Sequence, residues 1–207
     1  SIALTLGLIV VSTLMLERDR SGIVSSKLSI DTTPAVLYQQ SNSIGSVVVI
    51  AHGFADSIQL MQAYSLTLAR AGYRVIAFDF EGHGRNPVPM SGDVTSFEGA
   101  TALLVAQTRD VIAASRTLMR SPQLAMFGHS MAKDILIRAE IEERRDGTPV
   151  DTIVAISIFS EAVSAQAPEK MLIISGSWEW FLRAAALDAV RLIKPNSTEG
   201  ERVVSQD

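Results

Sequence analysis

The chain of 207 residues has no cysteine. That excludes disulfides and thiolate metal ligands, without fixing the compartment. Histidine is scarce: His52, His83 and His129 are the whole supply, and none lies in the last third of the chain. Basic charge is not in excess, since 18 Lys and Arg stand against 22 Asp and Glu for a net charge of -4. Nucleic acid, which calls for a basic patch, is therefore not an expected partner. There is no G-x-x-x-x-G-K-[ST] phosphate loop and no H-E-x-x-H zinc helix. Gly82-His83-Gly84 runs on to Pro87 with no third glycine, so it is not a dinucleotide fingerprint. Neither a cofactor nor a metal ion is expected. There is no internal repeat and no long linker. What is present, 47% hydrophobic and 19% charged residues, suits one domain with a real core.

The front of the chain differs from the rest. Ile2 to Leu16 is an uncharged run rich in Leu, Ile and Val, closed by Glu17-Arg18-Asp19-Arg20. It is slightly short of the roughly 20 residues that span a bilayer. The sequence opens on Ser1 rather than methionine, so the run is open at its front. It reads as a membrane anchor. The alternatives are a signal peptide, although no A-x-A site follows, and a buried helix. Residues 1–20 are set apart from a domain over 21–207, and the chain is expected to be membrane-associated or exported, otherwise cytoplasmic.

From Ser21 onward, strand and helix signals alternate. Ser21 to Ser29 and Ala35 to Gln40 suggest an opening hairpin about Asp31-Thr32-Thr33-Pro34. Val47 to Ala51 is apolar throughout and reads as a strand buried on both faces. Leu60 to Ala71 has helical spacing and stops at Gly72, with Asp56 and Ser57 as candidate caps. Val75 to Phe80 is the next strand and Phe97 to Leu118 a long helix. A strand from Leu124, a helix over Ile135 to Ile141, strands over Ile153 to Phe159 and Met171 to Ser175, and a helix over Phe181 to Ile193 complete the series. Such alternation predicts an α/β fold, a mostly parallel sheet with helices on both faces. The link from Phe159 to Met171 is short for a parallel crossover and leaves little room for a large lid. Glu140 to Asp146 is a mixed charge run, read as a solvated face.

The most informative feature is Gly128-His129-Ser130-Met131-Ala132, which lies between an apolar strand and a helix. A serine on such a turn is held out above the strand ends, the geometry of a nucleophile elbow. Acyl transfer also needs donors for the oxyanion. The backbone N–H of Phe54, in His52-Gly53-Phe54-Ala55, and that of Met131, at a helix start, are the candidates. Both side chains are also candidates for lining the pocket.

With these pieces in hand, the chain resembles the α/β-hydrolase superfamily, in particular bacterial esterase-like and serine-aminopeptidase-like members. The matching residues are His52-Gly53-Phe54, Phe78 to Asn86 with Gly82-His83-Gly84 at its centre, and Gly128-His129-Ser130-Met131. They span most of the chain between about Val47 and Glu179. The departures are Ala132, where the G-x-S-x-G pattern has glycine, and Lys133, where a small residue is common. The resemblance implies a Ser130 nucleophile and a mainly structural Gly82-His83-Gly84 turn. It implies a triad acid at Glu179, with Glu161 as the alternative; Asp188 is set aside as mid-helix. Trp178 and Trp180 are either walls of an acyl pocket or packing residues. Serine at the elbow argues against the carboxylate-nucleophile chemistry of dehalogenases and epoxide hydrolases.

The resembled family orders its triad as serine, acid, histidine, but no histidine follows Ser130 here. The chain is therefore expected to be a fragment whose base lies beyond Asp207, together with the last strand and helix. Loss of that base costs about 10⁶ in kcat, so the fragment is expected to be nearly inert. The expected function is a serine hydrolase acting on carboxylic esters or related small acyl compounds. A non-catalytic binding protein of the same fold and an acyltransferase are the rivals.

Overall fold

The computed structural model describes residues 2–91, 97–156 and 170–174. A helix, α1 (Ile2–Arg20), leads into strands β1 (Ile23–Ile30) and β2 (Thr33–Gln40). Then follow β3 (Val47–Ala51), α2 (Gln62–Arg70), β4 (Arg74–Phe78), α3 (Phe97–Met119), β5 (Leu124–His129), α4 (Ala132–Arg145), β6 (Thr152–Ile156) and β7 (Met171–Ile174). Among the described residues the sheet has seven strands in the order β1-β2-β4-β3-β5-β6-β7. β1 and β2 are antiparallel to each other and β2 to β4; every other pairing is parallel. The mostly parallel architecture is the one the sequence predicts. The proposed helix over Phe181 to Ile193, the Phe159–Met171 link, Glu161, Glu179, Trp178, Trp180 and Asp188 lie outside the described residues.

The centre of the sheet follows from β3. Its five residues, Val-Val-Val-Ile-Ala, are all buried and divide between two cores. Val47, Val49 and Ala51 face Leu104, Val105, Val111 and Ile112 of α3 and Ile135 and Leu136 of α4. Val48 and Ile50 face the other way, toward Leu66 and Ala69 of α2. The two-residue side-chain period therefore sends one strand's β-branched residues into both layers, which fixes its register. Each fully buried Val or Ile contributes about 1.5–3 kcal/mol relative to exposure.

Gly72 ends α2 as expected. With φ +95°, it lets its own N–H reach Ala69 O at 3.0 Å and the Tyr73 N–H reach Leu68 O at 3.1 Å. This is a Schellman closure, which favours glycine at that point.

Three local expectations are corrected. The hairpin turn is the pair Asp31-Thr32, with Asp31 at φ +50°, while Thr33 and Pro34 already belong to β2. Pro34 needs no ladder N–H there, and its carbonyl accepts the Asp79 N–H at 3.0 Å. Asp56 and Ser57 do not cap α2: the helix starts at Gln62 after Met61, which makes no side-chain cap bond. Instead the Ser57 carbonyl accepts the Leu60 and Met61 N–H groups in the preceding turn.

The third correction is the Glu140–Asp146 charge run, which is solvated only in part: Arg144, Arg145 and Asp146 are exposed, while its glutamates turn inward. Glu140 and Glu143 are buried. Arg109 of α3 donates to Glu143 at 2.9 Å, to Glu142 at 3.1 Å and to Asp146. Arg116 donates to the second oxygen of Glu143 at 2.9 Å. These bonds, that to Glu143 first, raise the Arg109 guanidinium above its ordinary value. The network pins α4 to α3, and so fixes the helix that follows Ser130. Arg109→Met should lower stability by about 1–2 kcal/mol in urea denaturation. That is less than the roughly 3–5 kcal/mol of a fully buried pair, because Arg109 is 30% exposed.

Candidate active site

Strands β3, β4, β5 and β6 run parallel and finish on one rim, at Ala51, Phe78, His129 and Ile156. In open parallel sheets the carboxyl rim is where ligands bind. Ser130 stands there, one residue past β5, with φ +52°. Such a left-handed backbone on a non-glycine residue costs of order 1–3 kcal/mol and persists only when its surroundings enforce it.

The surroundings are visible on every side. The Ser130 N–H donates to Ile156 O at 2.9 Å, and the Ser130 carbonyl accepts the Lys133 N–H at 3.2 Å, which opens α4. Gly128 lets α4 pack close, since a Cβ there would sit 2.7 Å from Leu136 Cδ1 and 3.3 Å from the Ala132 carbonyl carbon, so that Leu136 would have to move. Ala132 is fully buried in the core beneath the turn, so its extra methyl is accommodated. From the β3 side, Gly53 presses against the elbow. A Cβ on it would lie 3.2 Å from Ser130 Cβ and 3.1 Å from His129 Nδ1.

Phe54 therefore follows directly on a residue in contact with the Ser130 turn. The residue is 73% exposed, and its ring meets that of His83 edge-on with centroids 5.8 Å apart. Among the described residues neither the Phe54 N–H nor the Met131 N–H enters a backbone hydrogen bond. Met131 precedes the first residue of α4, at the positive end of its dipole.

The three histidines make their polar contacts away from Ser130 Oγ. His52 is fully buried, and its Nε2 accepts the Phe80 N–H at 3.1 Å. The proton is thereby placed on Nδ1, which donates to Gly53 O at 2.8 Å. Burial, foremost, lowers its pKa and keeps the ring neutral. His83 Nδ1 bonds Glu81 O at 2.9 Å within its own turn. His129 has its Nδ1 3.7 Å from Asp56 Oδ2. Among the described residues no side chain hydrogen-bonds to Ser130 Oγ.

A family model described as Hydrolase_4, serine aminopeptidase S33, matches residues 42–178. The chain belongs to this family. Among solved structures it is similar to a CIB-like hydrolase of Thermoplasma acidophilum (17% identity, TM-score 0.65). That match covers 83% of this chain and 82% of the other. It is similar to a protein of Thermus thermophilus at 16% identity and TM-score 0.65, over 86% and 85% of the two chains. It is also similar to a lipase in its open form at 22% identity and TM-score 0.55, over 67% of this chain and 45% of that one. At such identities the structures establish the α/β-hydrolase fold.

Within this S33 serine aminopeptidase-like chain, two residues carry roles that the sequence reading did not give them. Asp79 stands just past β4 between Phe78 and Phe80 and is fully buried. Its Oδ1 accepts the Ile58 N–H at 2.8 Å and its Oδ2 the Arg85 N–H at 2.9 Å. Its carbonyl accepts from Asn86 Nδ2 at 2.9 Å and Gln107 Nε2 at 3.2 Å. Gly84, at φ +54°, leaves the room: a Cβ there would overlap the Asp79 carboxylate. An acid standing between two buried aromatics at a strand end was the signal in the sequence.

The second is Lys133. It is fully buried, and its Nζ has no hydrogen-bond partner among the described residues. The Asp134 carboxylate is 3.9 Å away. Desolvation lowers its pKa below the ordinary 10.5, with Asp134 acting in the opposite sense. A folded-state pKa below the unfolded one means that the unfolded chain binds more protons. Stability is then fully present above about pH 10.5 and is lost as pH falls. Lys133→Met is expected to raise stability at pH 7 by about 1–3 kcal/mol and to flatten the rise between pH 7 and pH 10. Denaturant midpoints across that range check both.

Proposed function

We propose that this domain cleaves carboxylic esters or related small acyl compounds, with Ser130 as nucleophile. Ser130 Oγ attacks the acyl carbonyl. Its proton passes to a histidine carried outside these 207 residues, which Glu179, or else Glu161, orients. The oxyanion is held between the Phe54 and Met131 N–H groups. The intermediate collapses by breaking the ester C–O bond, and the histidine returns its proton to the departing alcohol. Water, activated by the same histidine, then hydrolyses the acyl-serine to the free acid and Ser130. The observation that carries this reading is the left-handed Ser130 backbone, braced by Gly53 and Gly128 beside two amides that are free among the described residues. The family's description and the lipase-like fold neighbour support the hydrolase class. No cofactor enters the scheme.

No helix among the described residues is long and apolar enough to cross a membrane. Leu6, Leu8, Ile9, Val10, Val11 and Leu14 of α1 are nevertheless each 51–63% exposed, which is unlike a buried helix. In this reading α1 attaches the domain to a membrane surface without spanning it.

The test is turnover of p-nitrophenyl butyrate. The 207-residue chain is expected to run about 10⁶ below a complete serine esterase. A longer product of the same gene that supplies the histidine should hydrolyse the ester and lose that activity with Ser130→Ala. Ordinary esterase rates from the chain alone, or turnover in the longer protein that survives Ser130→Ala, would sink the proposal. A longer protein that is inert but binds acyl compounds would make this a binding domain. Ester formed with an added alcohol in preference to hydrolysis would make it an acyltransferase.

A further inference from the structure

A cavity of about 380 Å³ opens between the β1–β2 hairpin and α2, at the foot of α1. Its volume falls in the roughly 300–1,000 Å³ range of small-molecule sites. Three of its walls are cationic: Arg20, the last residue of α1, Lys27 of β1 and Arg85 of the loop after β4. Ser25, Gln59 and Gln62 add neutral polar groups, and no Asp or Glu is among the lining residues whose side chains are described. The acid behind the wall, Asp79, already accepts the backbone N–H groups of Ile58 and Arg85, both of which belong to the rim. Arg20 donates to Gln62 Oε1 at 3.3 Å. The exposed side chain of Lys27 and the Arg85 guanidinium make no hydrogen bond or ion pair among the described residues.

This clustering runs against the chain's overall charge of -4, which on its own would repel anions. Screening confines charge effects to about 8 Å at physiological salt, so local arrangement decides what binds. The cavity adjoins the end of a helix whose exposed side chains include Leu6, Leu8, Ile9, Val10, Val11 and Leu14. Those residues occupy all sides of the helix, so no single stripe is set aside for packing on the domain. A ligand suited to both features is anionic at one end and apolar at the other.

We propose that the Arg20–Lys27–Arg85 cavity binds the phosphate headgroup of an anionic phospholipid while α1 lies among the acyl chains of the same bilayer. The proposal rests on the membrane-surface reading of α1, and adds a headgroup site in the folded domain and a preference for anionic lipid. Phosphate is the shared chemistry of a lipid headgroup and a free phosphate ester, and the lipid is the committed source because the apolar helix ends at the cavity.

The experiment is cosedimentation of the 207-residue chain with phosphatidylcholine vesicles, and with vesicles that also contain phosphatidylglycerol. Glycerol 3-phosphate serves as a soluble probe followed by NMR shifts. Anionic vesicles should bind several-fold more tightly than neutral ones, and the gain should fade at high salt. Lys27→Gln and Arg85→Gln should each lower anionic binding about fivefold, the effect of one basic side chain near an anionic surface. Binding to neutral vesicles should stay unchanged, and Lys27→Arg should restore the loss. Unaltered melting temperatures would show that the variants are folded.

Equal binding to both vesicles, insensitive to the two variants, would overturn the headgroup site while leaving α1 as an anchor. Failure to bind any vesicle together with glycerol 3-phosphate shifts at the cavity would overturn the lipid source and the anchor. Failure with both probes would overturn the site and the anchor alike.

Discussion

The rim of this sheet depends on one buried carboxylate. Asp79 takes the Ile58 and Arg85 amides on its two oxygens, while its carbonyl takes two side-chain amides from Asn86 and Gln107. An acid without these donors would be too costly to bury. Beside it the neutral His52 ring ties the β3 loop to the residue after Asp79, through its bonds to Gly53 O and the Phe80 N–H. Its Nε2 lies 3.8 Å from Asp79, too far for a hydrogen bond, so the two act in parallel rather than as an acid–base pair. Together they fix the loop carrying Gly53, and Gly53 in turn fixes the close approach to Ser130.

The second support comes from below. α4 starts at the elbow, and its far end is held by Arg109 and Arg116 through Glu142, Glu143 and Asp146. The strained serine thus sits between a polar clamp at its side and an ionic clamp at the end of its helix. Lys133 runs against this design. It occupies a buried position one helical turn from Ser130 with no hydrogen-bond partner for its amine among the described residues, and it is the least satisfied group described near the site.

Much of the fold was legible because strong periodic signals were left unopposed. The apolar run of β3 and the glycine stop of α2 read correctly because burial on two faces and a left-handed cap each have few alternatives. Ser130 was legible for the same reason: a Gly-x-Ser step between a strand and a helix admits little besides a tight turn. The misreadings concern residues whose meaning depends on a distant partner. Glu140 to Asp146 looked solvated because nothing local reveals that Arg109, more than thirty positions earlier, packs against it. Asp56 and Ser57 had capping chemistry at the right place, but the chain makes an extra turn before α2 begins. Asp79 has no periodic signature at all, since its partners are backbone amides of two loops.

The strand order also shapes how the molecule comes into being. β3 is central, yet its partner β5 lies 77 residues further on, since Val47 pairs with Leu124. A ribosome adding about 5–20 residues per second takes roughly 4 to 15 s to cover that distance. Throughout that interval one edge of an entirely apolar strand has no neighbour, the kind of edge on which chains associate with one another. The nascent protein is thus most vulnerable just before the β5 segment emerges, and the strand that delivers Ser130 is also the one that closes the exposed edge.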